Sequence, residues 1–454
     1  MTYETGKYPQ KQNWFFKLSE YESHIRESWT ASWPMLFIML FEFLINITDV
    51  YIAGKLGKVY QASVGLSYQI YFLFIILANA MTIGSVSLLS RQFSGGEQSR
   101  FSESAFTSMA TSAAAGIILS AGGFLLSPFI FGFLDIPDAM KEFCASLLSI
   151  YCGGLFFHYF LINSNGVLRA SRNFKKSMFT MALVCVSNIT LNFHLVFNTG
   201  LGYRGIALST ALSYALGALI NLVHVTRIIA GIRVFSANAA KKIIGIGWPS
   251  GLQQVLWNLG FTVLYLIVGS LPSRNIETMA ALTNGLRIEA AIYLPAMAFM
   301  MSNAVVVGNL LGQKKEREAY ASGIITAVIA VGFITALTAL VVFNAPSLSG
   351  LLSDNRAVMD ECVRYIYISM LAEPVFAWAV VISGALNGAG DTKSVFFTVS
   401  SGMWLIRLPL CYFLGIQAGL GASAIWWSMN ASIIYHAAMV TARYFKKGWM
   451  KHAD

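Results

Sequence analysis

Apolar segments long enough to cross a bilayer occupy most of this chain. Phe72–Leu89, Ala105–Phe133, Ile324–Phe343 and Leu371–Leu386 are each about as long as a spanning helix, roughly 17–25 residues. Backbone groups in lipid must satisfy one another within the segment, so runs of this kind fold as helices. Twelve spans are expected, at about 30–52, 62–90, 103–133, 141–168, 177–198, 202–226, 243–270, 278–311, 319–350, 357–387, 394–415 and 419–442. The fold class is all-α and integral to the membrane.

The second half repeats the first. Trp33-Pro34 opens one half and Trp248-Pro249 the other (248 − 33 = 215). Gly54 answers to Gly269, Arg91–Gly95 to Gly308–Gly312, and Arg169–Asn173 to Asn387–Asp391, at offsets of roughly 215–218 residues. This predicts two pseudo-twofold-related six-helix bundles, 30–226 and 243–442. A cytoplasmic arm (1–29), a basic linker (227–242) and a cytoplasmic tail (443–454) flank them. Within the arm, Trp14–Glu27 reads equally as an amphipathic surface helix or as solvated chain, and nothing there resembles a secretory signal. A cleft between parallel copies can open to either face by rocking, which points to transport.

Only 11% of residues are charged, against about 25% in a soluble domain. The formal charge of +10 would suit nucleic acid, but its placement suits lipid. With the termini and even-numbered loops on one side, that side carries 22 Lys/Arg and the other 6, while Arg287, Arg364 and Arg407 fall within spans. By the positive-inside rule both termini are cytoplasmic, in a multi-pass protein of the plasma (inner) membrane. The loops leave no room for a nucleotide-binding domain and no GxxxxGK[ST] motif is present, so ATP is not the driver and an ion gradient is. The five cysteines lack metal-ligand spacing and read as packing residues.

A charged group at bilayer depth costs roughly 2.5–3.5 kcal/mol on insertion scales. Four acids nevertheless lie inside spans: Glu42, Asp49, Glu289 and Glu373. Glu42, Asn46 and Asp49 stand at i, i+4 and i+7, on one helical face, with the acids about 10 Å apart along the axis. Such a carboxyl can load a proton on one side and release it on the other, or it can be a structural acid bonded to a neighbouring helix. Asn188 and Asn192 also share a face, suited to holding a protonated carboxyl, to ligating a cation, or to helix packing. Glu373 precedes Pro374, which bends a helix and makes a gate or ion site there plausible. These six residues are the candidate coupling group. Proton and sodium both fit, the latter near Asp49, and no other cofactor is implied.

Arg287, Glu289 and Arg407 are expected as structural charges, Arg407 as the partner of Glu373. His158 and His194 read as packing residues rather than relays. Tyr68, Tyr71, Gln254, Trp257, Asn258, Asn284, Met297, Met300 and Met301 are candidates for a cavity that takes flat amphipathic cations through cation–π, sulfur and polar contacts.

Over essentially its whole length the chain resembles the multidrug and toxic compound extrusion (MATE) family. The residues that carry the resemblance are Trp33-Pro34, then Asp49 followed by Gly54-Lys55-Leu56-Gly57, then Val307-Gly308-Asn309-Leu310-Leu311-Gly312. Gly384–Thr392 and Trp404-Leu405-Ile406-Arg407-Leu408-Pro409 complete the set. The resemblance implies an outward-opening cleft, cation-coupled export of organic cations, and Asp49 as the first-helix carboxylate central to coupling. Some prokaryotic members pair that acid with a fifth-helix aspartate, whereas here the position is Asn192. Asn188 with Asn192 resembles the branch carrying asparagine at both places. That branch often has a seventh-helix glutamate where this chain has Trp257. By the repeat Trp257 answers to Glu42, consistent with relocation of the acid to the first half. A monomer is expected.

No acid–histidine pair, metal-ligand set or nucleophile–base pair lies at one depth, so an enzyme is not indicated. A lipid-linked saccharide flippase of related fold is the runner-up. It would want a broad basic cavity for phosphates, whereas Glu42, Asp49 and Glu373 favour a cationic cargo.

Overall fold

The computed structural model describes residues 18–229 and 233–453. Most of the expected arm, Trp14 included, and residues 230–232 of the linker lie outside the described residues. Among the described residues every regular element is helical. The first half comprises α1 (Leu18–Leu56), α2 (Lys58–Ser94), α3 (Gln98–Gly132), α4 (Asp138–Gly153), α5 (Leu155–Ala170), α6 (Phe174–Phe197) and α7 (Arg204–Ile228). The second comprises α8 (Ala237–Gly269), α9 (Asn275–Gly312), α10 (Glu316–Phe343), α11 (Ala345–Leu352), α12 (Arg356–Ser369) and α13 (Glu373–Gly388). It ends with α14 (Thr392–Ser401), α15 (Leu408–Leu410) and α16 (Gly421–Phe445).

Several rods are compound. α4 and α5 meet at 49° around Gly154, where a Cβ would collide with Ala211 of α7. α12 reaches α13 through a 3₁₀ turn, Met370–Ala372. α14 continues through π-helical Gly402–Arg407, α15 and π-helical Cys411–Gln417. Ten rods are long and apolar enough to cross a membrane, and the bent pair makes an eleventh. α16, where the sequence reading expects a twelfth span, is 25 residues long but falls short of that apolarity, and it carries Ser428, Asn430 and Ser432 buried. The chain is a multi-pass membrane protein.

Three boundaries differ from the sequence reading. Residues 18–29 are not a separate arm but continue the first spanning helix. They are tied down by the second half, where Thr326 Oγ1 donates to Ser28 Oγ at 2.8 Å, and one turn further on the Ser32 and Ser302 hydroxyls meet at 2.6 Å. The span expected to reach 350 stops at Phe343, because Pro346 sits in the first turn of a new helix, α11, where its missing N–H costs nothing. The tail folds back onto the bundle. Trp449 is fully buried, its Nε1 donates to the Tyr444 carbonyl at 2.8 Å, and Arg443 Nε donates to Asp391 Oδ2 at 2.7 Å.

Each half has its own apolar core. The halves meet where α1 and α2 pack on α8, α9 and α10. At the closest approach a Cβ on Gly84 would strike the Ile243 carbonyl and one on Gly247 the Ala80 carbonyl. α2 and α8 therefore touch backbone to backbone, as small residues permit. Ser94 donates to Asn309 Oδ1, Asn309 Nδ2 to the Ala170 carbonyl at 3.4 Å, and Ser87 Oγ to the Gly388 carbonyl at 3.1 Å. These bonds, with the Ser28 and Ser32 pairs, fall toward the turns at 95–97, 171–173, 313–315 and 389–391. That is the end rich in Lys and Arg.

Candidate functional site

Asp49 lies in the last third of α1, on the face turned toward α6 and α7, and is 5% exposed. Asn192 Nδ2 donates to its Oδ1 at 2.7 Å and Thr210 Oγ1 to its Oδ2 at 3.1 Å. Behind them Asn188 Nδ2 donates to Thr210 Oγ1 at 3.1 Å, and Asn192 Nδ2 also reaches Asn188 Oδ1 at 3.2 Å. Asn192 Oδ1 is buried without a hydrogen-bond partner. None of the ion pairs among the described residues involves Asp49. A carboxylate held this way costs several kcal/mol unless a proton or a cation neutralises it. The surrounding oxygens of Asn188, Asn192 and Thr210 are hard donors, of the kind that accept a proton or a small alkali cation. Among the described residues no cluster of His, Cys, Asp and Glu could hold a metal ion.

An aromatic wall backs this network. The Tyr71 hydroxyl and His158 Nδ1 are 2.9 Å apart, His158 stacks on Tyr214 at 4.0 Å, and Tyr71 lies 5.2 Å from Tyr151. Tyr71 is only 2% exposed, so it belongs to the core of the first half and not to a cargo surface. Tyr68 is half-buried beside Asn46, with Glu42 and Asp49 as the nearest charges. Asn46 departs from the expected coupling group. Its Nδ2 donates to the Glu42 carbonyl of its own helix at 2.8 Å, so that donor is spent locally. His194 is exposed on α6, away from the network.

Glu42 is exposed and feels the charge of Arg169, which is buried with Nη1 3.6 Å from Met301 Sδ of the other half. Met297 and Met301 pack into the same cluster as Met35, Met39 and Met178, along the seam.

The second half holds a separate polar group. The Tyr365 hydroxyl donates to Glu289 Oε2, and Glu373, fully buried, has Glu289 and Arg407 as its charged neighbours. Arg407 Nε donates to Ser432 Oγ at 2.8 Å, and its guanidinium lies over Trp257 at 5.2 Å and Phe261 at 5.9 Å. Arg287 does not join this group. Two residues from Glu289 it projects from another face of α9, is exposed, and makes no ion pair among the described residues. Gln254 and Asn258 are half-buried, with Asn258 Nδ2 returned to the Gln254 carbonyl at 2.8 Å, and Asn284 is buried.

Sequence reasoning missed Thr210, Tyr151, Tyr214 and Arg169. Thr210 and Tyr214 stand at i and i+4 in an apolar span, a polar-face pattern of the kind that singled out Asn188 and Asn192. The expected span ends at 168 and leaves Arg169 in a loop, whereas the side chain is buried in the last turn of α5.

Two repeated helical bundles joined at one end, with a buried carboxylate inside the first, define a membrane transporter. The MatE family model matches the chain twice, over residues 34–194 and 249–413, once in each half and at the repeat offset (249 − 34 = 215). The chain belongs to this family, the multidrug and toxic compound extrusion transporters. It is 24% identical over 434 residues to the uncharacterized transporter YisQ of Bacillus subtilis, covering 93% of this chain and 94% of that one. It is 26% identical over 440 residues to the multidrug resistance protein NorM of Burkholderia vietnamiensis, covering 91% and 92%. Its fold is similar to that of the Vibrio cholerae MATE transporter VcmN in the bent form, with TM-score 0.88, 18% identity and coverage of 94% and 98%.

Proposed function

We propose that this chain is a cation-coupled antiporter that exports organic cations, drugs or metabolites by alternating access between its two halves. The observation that carries the reading is Asp49: a carboxylate buried among Asn188, Asn192 and Thr210 without a cationic partner. Such a group exchanges between a neutralised and a charged form, and each form favours a different packing of α1 on α6 and α7. The coupling ion is a proton or sodium. The name of the related NorM, a multidrug resistance protein, supports the cargo class, and the exposed carboxylate of Glu42 suits a cationic cargo.

The protein acts as a monomer in the plasma membrane with both termini in the cytoplasm, draws on no ATP and binds no nucleic acid. Dye transport in everted vesicles, with pH and sodium gradients imposed separately, tests the reading and picks the ion. Transport that persists with both gradients collapsed would sink it.

A further inference from the structure

A small cavity of about 50 Å³, on the scale of a single carboxylate group, lies where the halves meet, bounded by α2, α5, α9 and α13. Its walls are repeat mates. Ile83 answers to Met300 (300 − 83 = 217) and Arg169 to Asn387 (387 − 169 = 218), so the cavity straddles the pseudo-twofold axis. Its chemistry is not symmetric. The first half supplies Arg169, Thr82 and Ser87, the second Met300, Met301 and Asn387. Thr82 is 4% exposed, Arg169 6% and Asn387 8%. Each keeps a buried atom without a hydrogen-bond partner: Thr82 Oγ1, Arg169 Nε and Asn387 Oδ1.

A buried guanidinium whose N–H groups lack oxygen acceptors is expensive, and its planar fork matches a carboxylate or another oxyanion better than any neutral group. Thr82 can add a hydroxyl donor. The Asn387 amide can turn either end inward, since its orientation follows the bonds around it. Glu42 is the acid that Arg169 feels, so a cationic and an anionic anchor stand close together.

We propose that Arg169, Thr82 and Asn387 form an oxyanion subsite on the axis between the halves, which binds a carboxylate carried by the cargo. The exported molecules then include zwitterions, with the cationic end toward Glu42 and the carboxylate on Arg169. The subsite opens to the cytoplasm when the halves part at their joined end, where cargo loads. This inference rests on the efflux reading and narrows its cargo class.

The test uses two probes that differ in one group, a rhodamine with a free carboxylate and its methyl ester. Both are titrated against the purified full chain by fluorescence polarisation and followed for transport in vesicles. Arg169→Gln should weaken the carboxylate dye about tenfold more than the ester, the scale of one charge-assisted bond, with partial recovery in Arg169→Lys. Thr82→Val, close in shape, should show a smaller loss of the same selectivity and serves where Arg169→Gln does not fold. Equal losses for both dyes would make Arg169 a seam residue, and no loss for either would leave it a counter-charge to Glu42. Failure of the wild type to bind the carboxylate dye, or either of those outcomes, overturns the subsite. Failure of the wild type to move either dye under any gradient overturns the efflux reading instead.

Discussion

Asp49 receives hydrogen bonds on both carboxylate oxygens, so its charge can be removed without removing its shape. Asp49→Asn should insert and fold as the wild type does, yet lose gradient-driven efflux, dropping to the rate of protein-free vesicles. Dye transport at the wild-type rate by the purified variant would make Asp49 purely structural. Glu42, about two turns nearer the amino terminus on the same face of α1, is exposed and feels the charge of Arg169. Glu42→Gln should therefore raise the KM for cationic dyes several-fold and leave neutral ones nearly unaffected. An equal effect on both, or none, would reduce it to a helix-orienting residue. The i, i+4, i+7 spacing made Asp49 legible in the sequence, and the Asn188–Asn192 pair likewise. Spacing gives a face and not a rotamer, which is why Asn46 was grouped with Asp49 although its amide bonds its own helix. Thr210 went unseen because nothing in a single sequence says which helix α1 will meet.

At the level of elements, α2 and α8 are held together by what their glycines lack. Gly84→Val would push a side chain into the Ile243 carbonyl, an overpacking worth about 1–3 kcal/mol. The joined end should loosen, and Ser32→Cys, at a position buried against Ser302, should react several-fold faster with an impermeant maleimide in everted vesicles. Unchanged labelling would mean that this contact does not close the cytoplasmic face. Rod positions were readable from apolar length alone, because lipid leaves the backbone no other choice. The breaks were not. The stop at Phe343 depends on Pro346 opening a new helix, and the π-helical stretches around Pro409 depend on packing that Pro409 hints at only as a bend.

Across the whole molecule, the twofold repeat was visible as paired Trp-Pro dipeptides, and the family model matches at the same offset. Lys55 ends α1 and Arg274 precedes α9, both exposed, at the end opposite the seam. With Lys55→Cys and Arg274→Cys combined, crosslinking should become easier when cargo or ion favours closure of that end, and efflux should stop once the pair is joined. Undiminished transport by a fully crosslinked protein would reject rocking. Beside its methionines, the seam is lined by serine and threonine hydroxyls, asparagine amides and bare glycine backbone. Each of those bonds is worth about 0.5–1.5 kcal/mol net, because water replaces it readily. Opening the seam is therefore an act of hydration: water enters a polar crevice at one end as it leaves at the other. Solutes too large for the crevice draw on that same water, so osmotic stress should favour whichever state holds the less hydrated crevice.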